Sequence, residues 1–109
     1  MLEFAYKAPN LGVAVHVLDL FFVFGALDTT DISEAMRLSQ SSEEKHLSKI
    51  IMDTWINFAR TGNPNHAKIP NWIQYDSNSR ATMILDVEPK LVANHLESRI
   101  KIWKSLSLL

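Results

Sequence analysis

The chain of 109 residues contains no cysteine, so disulfide bridges, thiolate-ligated zinc and a thiol nucleophile are all excluded. Net charge is nearly absent too: the formal value is −1, which leaves no basic footprint for nucleic acid and little electrostatic steering of any ligand. The four histidines, His16, His46, His66 and His95, never recur as His-x-x-x-His, so no metal pair and no cofactor are expected. No Asn-x-Ser/Thr acceptor occurs, and no cationic cluster precedes the main apolar run in the manner of a secretory leader. Together these absences point to a cytoplasmic protein. No period of 20–50 residues recurs, and the length suits one domain at most, burying about two-thirds of its unfolded surface.

What the chain does have is a long greasy run from Leu11 to Leu27 that encloses one histidine, His16, and one carboxylate, Asp19. Either group placed unpaired among Val, Leu and Phe costs about 1–3 kcal/mol, so each needs polar partners or a function. As a membrane span the run is short, carries Asp19 near its middle and lacks flanking Lys or Arg, so no membrane association is expected. The reading that fits is a buried loop and short helix over 11–27, with His16 and Asp19 facing a polar pocket.

Around this run the periodicities predict an α/β arrangement. Alternation over 2–7 predicts a strand, stopped by Pro9 and Asn10, and its carboxyl end delivers the chain into the His16 loop, where ligand-facing groups of α/β sheets lie. Asp28 to Asp31 read as turn and cap residues, and Ile32 to Leu38 as one or two helical turns. A long helix is predicted over 42–61. It has acidic residues in its first turn, Leu47, Ile50, Ile51, Trp55, Phe58 and Ala59 on its core side, and a stop set by Gly62 and Pro64. A second strand is predicted over 81–86 and a C-terminal helix over 94–107. Trp55, Trp72 and Trp103 read as core aromatics, with Trp103 also a candidate for meeting a partner. The runs Glu43 to Lys45 and Glu97 to Lys104 read as solvated faces, and His46, His66 and His95 as ordinary.

Three groups of residues carry a resemblance. Ala14-Val15-His16, Asp19-Leu20 and Phe22-Val23-Phe24-Gly25 resemble the segment around the catalytic histidine of the type-B carboxylesterase and cholinesterase family, para-nitrobenzyl esterases included. Trp55, Phe58-Ala59, Thr61-Gly62 and Pro64 resemble a helix end of the same family. Trp72, Tyr75-Asp76, Arg80, Thr82 to Asp86 and Glu88-Pro89 resemble its last strand. Departures are Val13 where Gly is common, Val17 where Gly or Ala is common, Asp19 for Glu, and Ile73 for the Pro that follows the Trp. The bulky β-branched neighbours would stiffen the His16 loop and narrow its pocket.

The resemblance implies a C-terminal fragment of an α/β-hydrolase fold: two short strands plus helices, helix-rich in isolation. It further implies His16 as the catalytic base and Asp19 as a site-supporting residue. The family cleaves carboxylic esters with Ser, an acidic residue and His in that chain order. No Gly-x-Ser-x-Gly occurs here, so the nucleophile, the acidic partner and the oxyanion loop are expected outside this chain, which alone should be inactive. The expected partners are the rest of the esterase chain, or self-association through exposed apolar faces. A small carboxylic ester would be substrate only for the complete enzyme. The competing function is a non-catalytic, truncated relative acting through self-association or partner binding.

Overall fold

The computed structural model describes residues 1–9, 11–28 and 38–106. Strand β1 spans Leu2–Phe4 and helix α1 spans Leu18–Val23. Helix α2 spans Ser42–Thr61, strand β2 Thr82–Leu85, strand β3 Lys90–Val92 and helix α3 Glu97–Ser105. The strands form one sheet in the order β1-β2-β3. Strands β1 and β2 are parallel, with Leu2 opposite Met83 and Phe4 opposite Leu85; β2 and β3 are antiparallel, with Thr82 opposite Val92.

Several sequence-based bounds differ from the structure. The strand expected over 2–7 ends at Phe4, although the Ala5 amide still donates to the Leu85 carbonyl at 2.9 Å. Beyond it, Tyr6 is buried for a different reason, given below. The 81–86 strand is Thr82–Leu85, and the 94–107 helix begins only at Glu97, because Asn94 and Leu96 hold left-handed φ angles of 51° and 58° that no helix continues through. Among the described residues there are three strands rather than two. The additional β3 is only Lys-Leu-Val, too short to carry a periodicity of its own, and it exists because β2 offers it an antiparallel ladder. The turns expected over Ile32 to Leu38, and the cap cluster before them, lie almost wholly outside the described residues.

The core sits between α1, α2 and one face of the sheet. Phe22 is fully buried, with its ring 5.3 Å from Phe4 and 5.2 Å from Tyr6. Leu18, Leu47, Ile50, Ile51, Met83 and Leu85 belong to the same cluster. The tilted aromatic contacts tie the carboxyl end of β1 to α1, adding about 0.5–1.5 kcal/mol per pair to the burial itself. Helix α2 is joined to α1 by a polar contact as well, since the buried Ser48 hydroxyl donates to the Phe22 carbonyl at 2.8 Å and satisfies a C-terminal helix acceptor.

Helix α2 starts where its sequence tells it to. Ser41 is the N-cap, its hydroxyl accepts from the Glu44 amide at 3.1 Å, and the Glu44 carboxylate accepts from the Ser41 amide at 3.2 Å, a reciprocal capping box. Glu44 is therefore not on a solvated face as its charge suggested: it is fully buried. One carboxylate oxygen accepts from the Tyr6 hydroxyl at 2.9 Å, and the other also accepts from the Ser39 amide and hydroxyl at 2.9 and 3.1 Å. This single side chain fastens the end of β1 to the start of α2. At the far end Gly62, at φ 73°, gives the left-handed C-cap and its amide donates to the Phe58 carbonyl.

Burial and the Glu44 carboxylate both push the Tyr6 phenol far above its usual pKa of 10.0. The folded chain thus keeps a proton that the unfolded chain releases, so stability is intact below pH 10 and falls as pH rises above it. A Tyr6→Phe variant is expected to be less stable at neutral pH, because Glu44 loses a donor. It should also show a flatter decline in urea midpoint between pH 9 and 11 than the parent; parallel declines would contradict this account.

Candidate functional site

The site predicted from sequence lies on the loop between β1 and α1. Parallel strand β1 ends at Phe4, the chain crosses Tyr6 and Ala8, both buried, and the loop then surfaces through Leu11 to Ala14 before α1 begins at Leu18. His16 stands exposed immediately before this helix, and Asp19 lies half-buried in the first helical turn. No hydrogen bond joins the two among the described residues. The polar pocket expected around them is thus a correction: His16 faces open surface, because the loop is covered by nothing else in the described chain.

The loop is anchored on both sides of the imidazole. Before it, the Leu11 and Gly12 amides both donate to the Ala8 carbonyl at 2.9 Å. After it, the Leu18 amide donates to the Val15 carbonyl at 3.3 Å, and Leu18 and Phe22 are fully buried. Between these anchors, Val17 serves as the helix N-cap at φ 74°, with no side-chain capping bond. A β-branched residue in the left-handed region is a steric outlier, costing about 1–3 kcal/mol, and such outliers persist where neighbouring structure forces them. Val17 is one of the positions at which the motif commonly has Gly or Ala, and the backbone supplies the reason: Gly adopts this φ without strain.

Relief of that strain, less the backbone entropy of the glycine, leaves a net gain. Val17→Gly is expected to stabilise the chain by about 1 kcal/mol, raising Tm by about 4–8 °C. Calorimetry showing a lower Tm would contradict the strain.

Other polar clusters are structural. Thr54, buried on α2, donates to the Ile50 carbonyl at 2.8 Å and so accepts from His66 Nε2, also at 2.8 Å; His66 Nδ1 in turn faces the Lys68 amide at 3.4 Å. The hydroxyl proton is committed to a carbonyl, which leaves this pair no nucleophile. His95 Nε2 meets Glu3 at 2.5 Å, tying the turn before α3 to β1. Arg80 pairs with Glu97 and donates to the Asn94 side chain at 3.0 Å, so Glu97 is not simply solvated. Lys68 lies 2.8 Å from Asp53 and, by a hydrogen bond, holds that carboxyl below its usual range. Sequence reasoning read His66 and His95 as ordinary, and missed Glu44, which a Ser-x-x-Glu capping signature at Ser41 could have flagged.

Among the described residues no three His, Asp or Glu side chains are grouped to hold a metal ion, and no helix is long and apolar enough to cross a membrane. A groove of about 830 Å³ lies elsewhere, between the start of β1, the second half of α2 and the loop 62–65 with 72–75, and His16 and Asp19 do not line it.

Comparison with known proteins accounts for this layout. The model of the Carboxylesterase family matches residues 1–103. Para-nitrobenzyl esterase of Bacillus subtilis (strain 168) is 42% identical over 82 residues, covering 75% of this chain and 16% of that protein. Carboxylesterase 4A of Bos taurus is 34% identical over 110 residues, covering 95% of this chain and 18% of that protein. Among solved structures, a thermophilic PNB esterase superposes with a TM-score of 0.79 at 33% identity, over 92% of this chain and 20% of that one. A carboxylesterase of Geobacillus stearothermophilus does so with a TM-score of 0.79 at 26% identity, over 94% of this chain and 21% of that one. The chain therefore spans about a fifth of the length of the relatives it matches, and the parallel β1-β2 pair, the loop that leaves β1 and the capped helix α2 are a piece of a larger α/β-hydrolase sheet. This chain belongs to the carboxylesterase family.

Proposed function

We propose that the chain is the C-terminal segment of a cytoplasmic serine carboxylesterase and supplies its catalytic histidine, His16. The observation that carries this reading is the placement of His16: an exposed imidazole on an anchored loop leaving the carboxyl end of a parallel strand, beside a left-handed backbone at Val17, in residues that match the family motif. Open α/β sheets bind ligands at that end of their strands. In the complete enzyme, His16 accepts the proton of a serine hydroxyl as it attacks the ester carbonyl, then returns it to the departing alcohol; the serine and a third, acidic residue lie in the rest of the fold. Asp19, in the first turn of α1, takes the supporting role of the family's Glu at that position. The substrate class is a small carboxylic ester.

Alone, the chain carries no Gly-x-Ser-x-Gly elbow to supply an activated nucleophile, so it is expected not to hydrolyse esters. A second reading is favoured by a specific feature, the exposure of Phe24, Trp55, Ile56 and Phe58: a non-catalytic relative that self-associates or binds a partner through these side chains. The test is a chimaera in which residues 1–103 replace the matching segment of the Bacillus subtilis para-nitrobenzyl esterase. Hydrolysis of a short-chain aryl ester supports the first reading. A folded chimaera without turnover leaves only the second.

A further inference from the structure

Helix α2 buries three polar side chains, Glu44, Ser48 and Thr54. Thr54 bonds to its own helix and to His66, a closed local arrangement. The other two reach across to the chain on either side of His16. Glu44 and Ser48 are four residues apart, so they stand on one face of the helix, a turn from each other.

Glu44 holds the way into the His16 loop. One of its carboxylate oxygens accepts from the Ser41 amide and serves the capping box, whereas the other accepts from the hydroxyl of Tyr6, which precedes His16 by ten residues. Capping therefore does not account for the bond to Tyr6. A phenylalanine would fill the same apolar space beside Phe4 and Phe22 and would need no acceptor. Two residues further on, the carbonyl of fully buried Ala8 accepts from the Leu11 and Gly12 amides and turns the chain outward.

Ser48 holds the way out. Its hydroxyl donates at 2.8 Å to the carbonyl of Phe22, which follows His16 by six residues. The two flanks also meet each other, since the Tyr6 and Phe22 rings lie 5.2 Å apart at 59°. Between them Val17 keeps its left-handed φ of 74°. Such an outlier persists only where the surrounding structure over-determines the backbone, and two polar anchors on one helix face supply that determination.

We infer that Glu44 and Ser48 are positioning residues for His16: two buried polar groups one turn apart on α2 fix the entry and the exit of its loop, and thereby the place of the imidazole. Neither touches a reacting atom. The inference deepens the catalytic reading of His16 and rests on it. Rate is steep in such placement, because a shift of about 1 Å in a catalytic group costs about 10²-fold.

The test compares Tyr6→Phe, Ser48→Ala and a control, Thr54→Val, in two settings. Tyr6→Phe removes the contact of Glu44 with the loop and leaves the capping box intact. In the 109-residue chain, hydrogen exchange of the Leu11, Gly12 and Leu18 amides, measured relative to the amides of β2, is expected to quicken about fivefold or more in the first two variants and to stay within about twofold of the parent in the control. In the chimaera described above, kcat for a short-chain aryl ester is expected to fall about tenfold in each of the first two variants with KM within about twofold, and the control to keep both. Ser48→Thr, which retains the hydroxyl, is expected to keep more of kcat than Ser48→Ala. Loop and β2 amides that quicken in parallel, or a kcat loss shared equally by Thr54→Val, would overturn the positioning role by making both groups general supports of the fold. A folded parent chimaera without turnover removes the catalytic reading and the positioning role with it. An active parent whose Tyr6→Phe and Ser48→Ala variants keep its kcat removes the positioning role alone, so the two failures are distinguishable.

Discussion

His16→Ala in the para-nitrobenzyl esterase chimaera is expected to lower kcat/KM for an aryl ester by about 10⁴-fold or more, which corresponds to about 5.5 kcal/mol of lost transition-state stabilisation. The magnitude follows from the work assigned to the imidazole. Without a base, a serine hydroxyl attacks as a weak nucleophile and the alkoxide leaving group departs without a proton, so both halves of the reaction slow together. The oxyanion donors and substrate binding remain, which sets a floor above the uncatalysed rate. Loss should fall on kcat with KM little changed, because His16 acts on a charge that develops in the transition state. The substitution should not unfold the protein, since the side chain is exposed and the loop is held instead by the Ala8 carbonyl and by buried Leu18 and Phe22. Circular dichroism unchanged from the parent, beside lost turnover, separates a chemical role from a structural one. A chimaera that retains a tenth of its activity without His16 would remove the histidine from the mechanism.

The largest effect on stability is expected at Glu44. Glu44→Ala removes the acceptor of the buried Tyr6 hydroxyl and breaks the capping box of the twenty-residue helix α2. An orphaned buried hydroxyl costs about 1–3 kcal/mol and a lost helix cap about 1 kcal/mol, so a loss of about 3 kcal/mol is expected, a large share of the ~5–15 kcal/mol that holds a typical domain together. Glu44→Gln provides the contrast. Its amide oxygen can still accept from Tyr6, but an NH₂ group then confronts three donors, the Ser39 amide, the Ser39 hydroxyl and the Ser41 amide. Its cost should therefore lie between those of the parent and the alanine. Urea titration of all three would show this order, and a glutamine variant as stable as the parent would mean that the second oxygen carries little.

What the sequence made legible depended on whether a signal was local. Helix α2 could be read at both ends because a Ser and an acidic first turn open it, while Gly62 and Pro64 close it, all within contact of the helix itself. Strand β3 could not, since three residues of ordinary composition become a strand only when β2 is present to pair with them. Glu44 was misread because a carboxylate beside Glu43 and Lys45 resembles a solvated face, and its real partner, Tyr6, lies 38 residues away. Val17 stood out in sequence as a departure from the motif, but only the backbone angle of 74° explains what the departure strains. Trp55 and Phe58 teach something different. Their spacing predicts core positions, yet both stand exposed in this chain, which covers 20% of the thermophilic PNB esterase it superposes on. The motif around His16 was legible because its residues are contiguous, and the structure sets them on the loop between β1 and α1.

The most direct test of the central claim is steady-state hydrolysis of a short-chain para-nitrophenyl ester by three samples at equal concentration: the 109-residue chain, the chimaera carrying its residues 1–103, and the same chimaera with His16→Ala. Turnover by the chimaera alone is the predicted result. Turnover by the isolated chain that disappears with His16→Ala would contradict the account, because it would place a nucleophile and its oxyanion donors within these 109 residues.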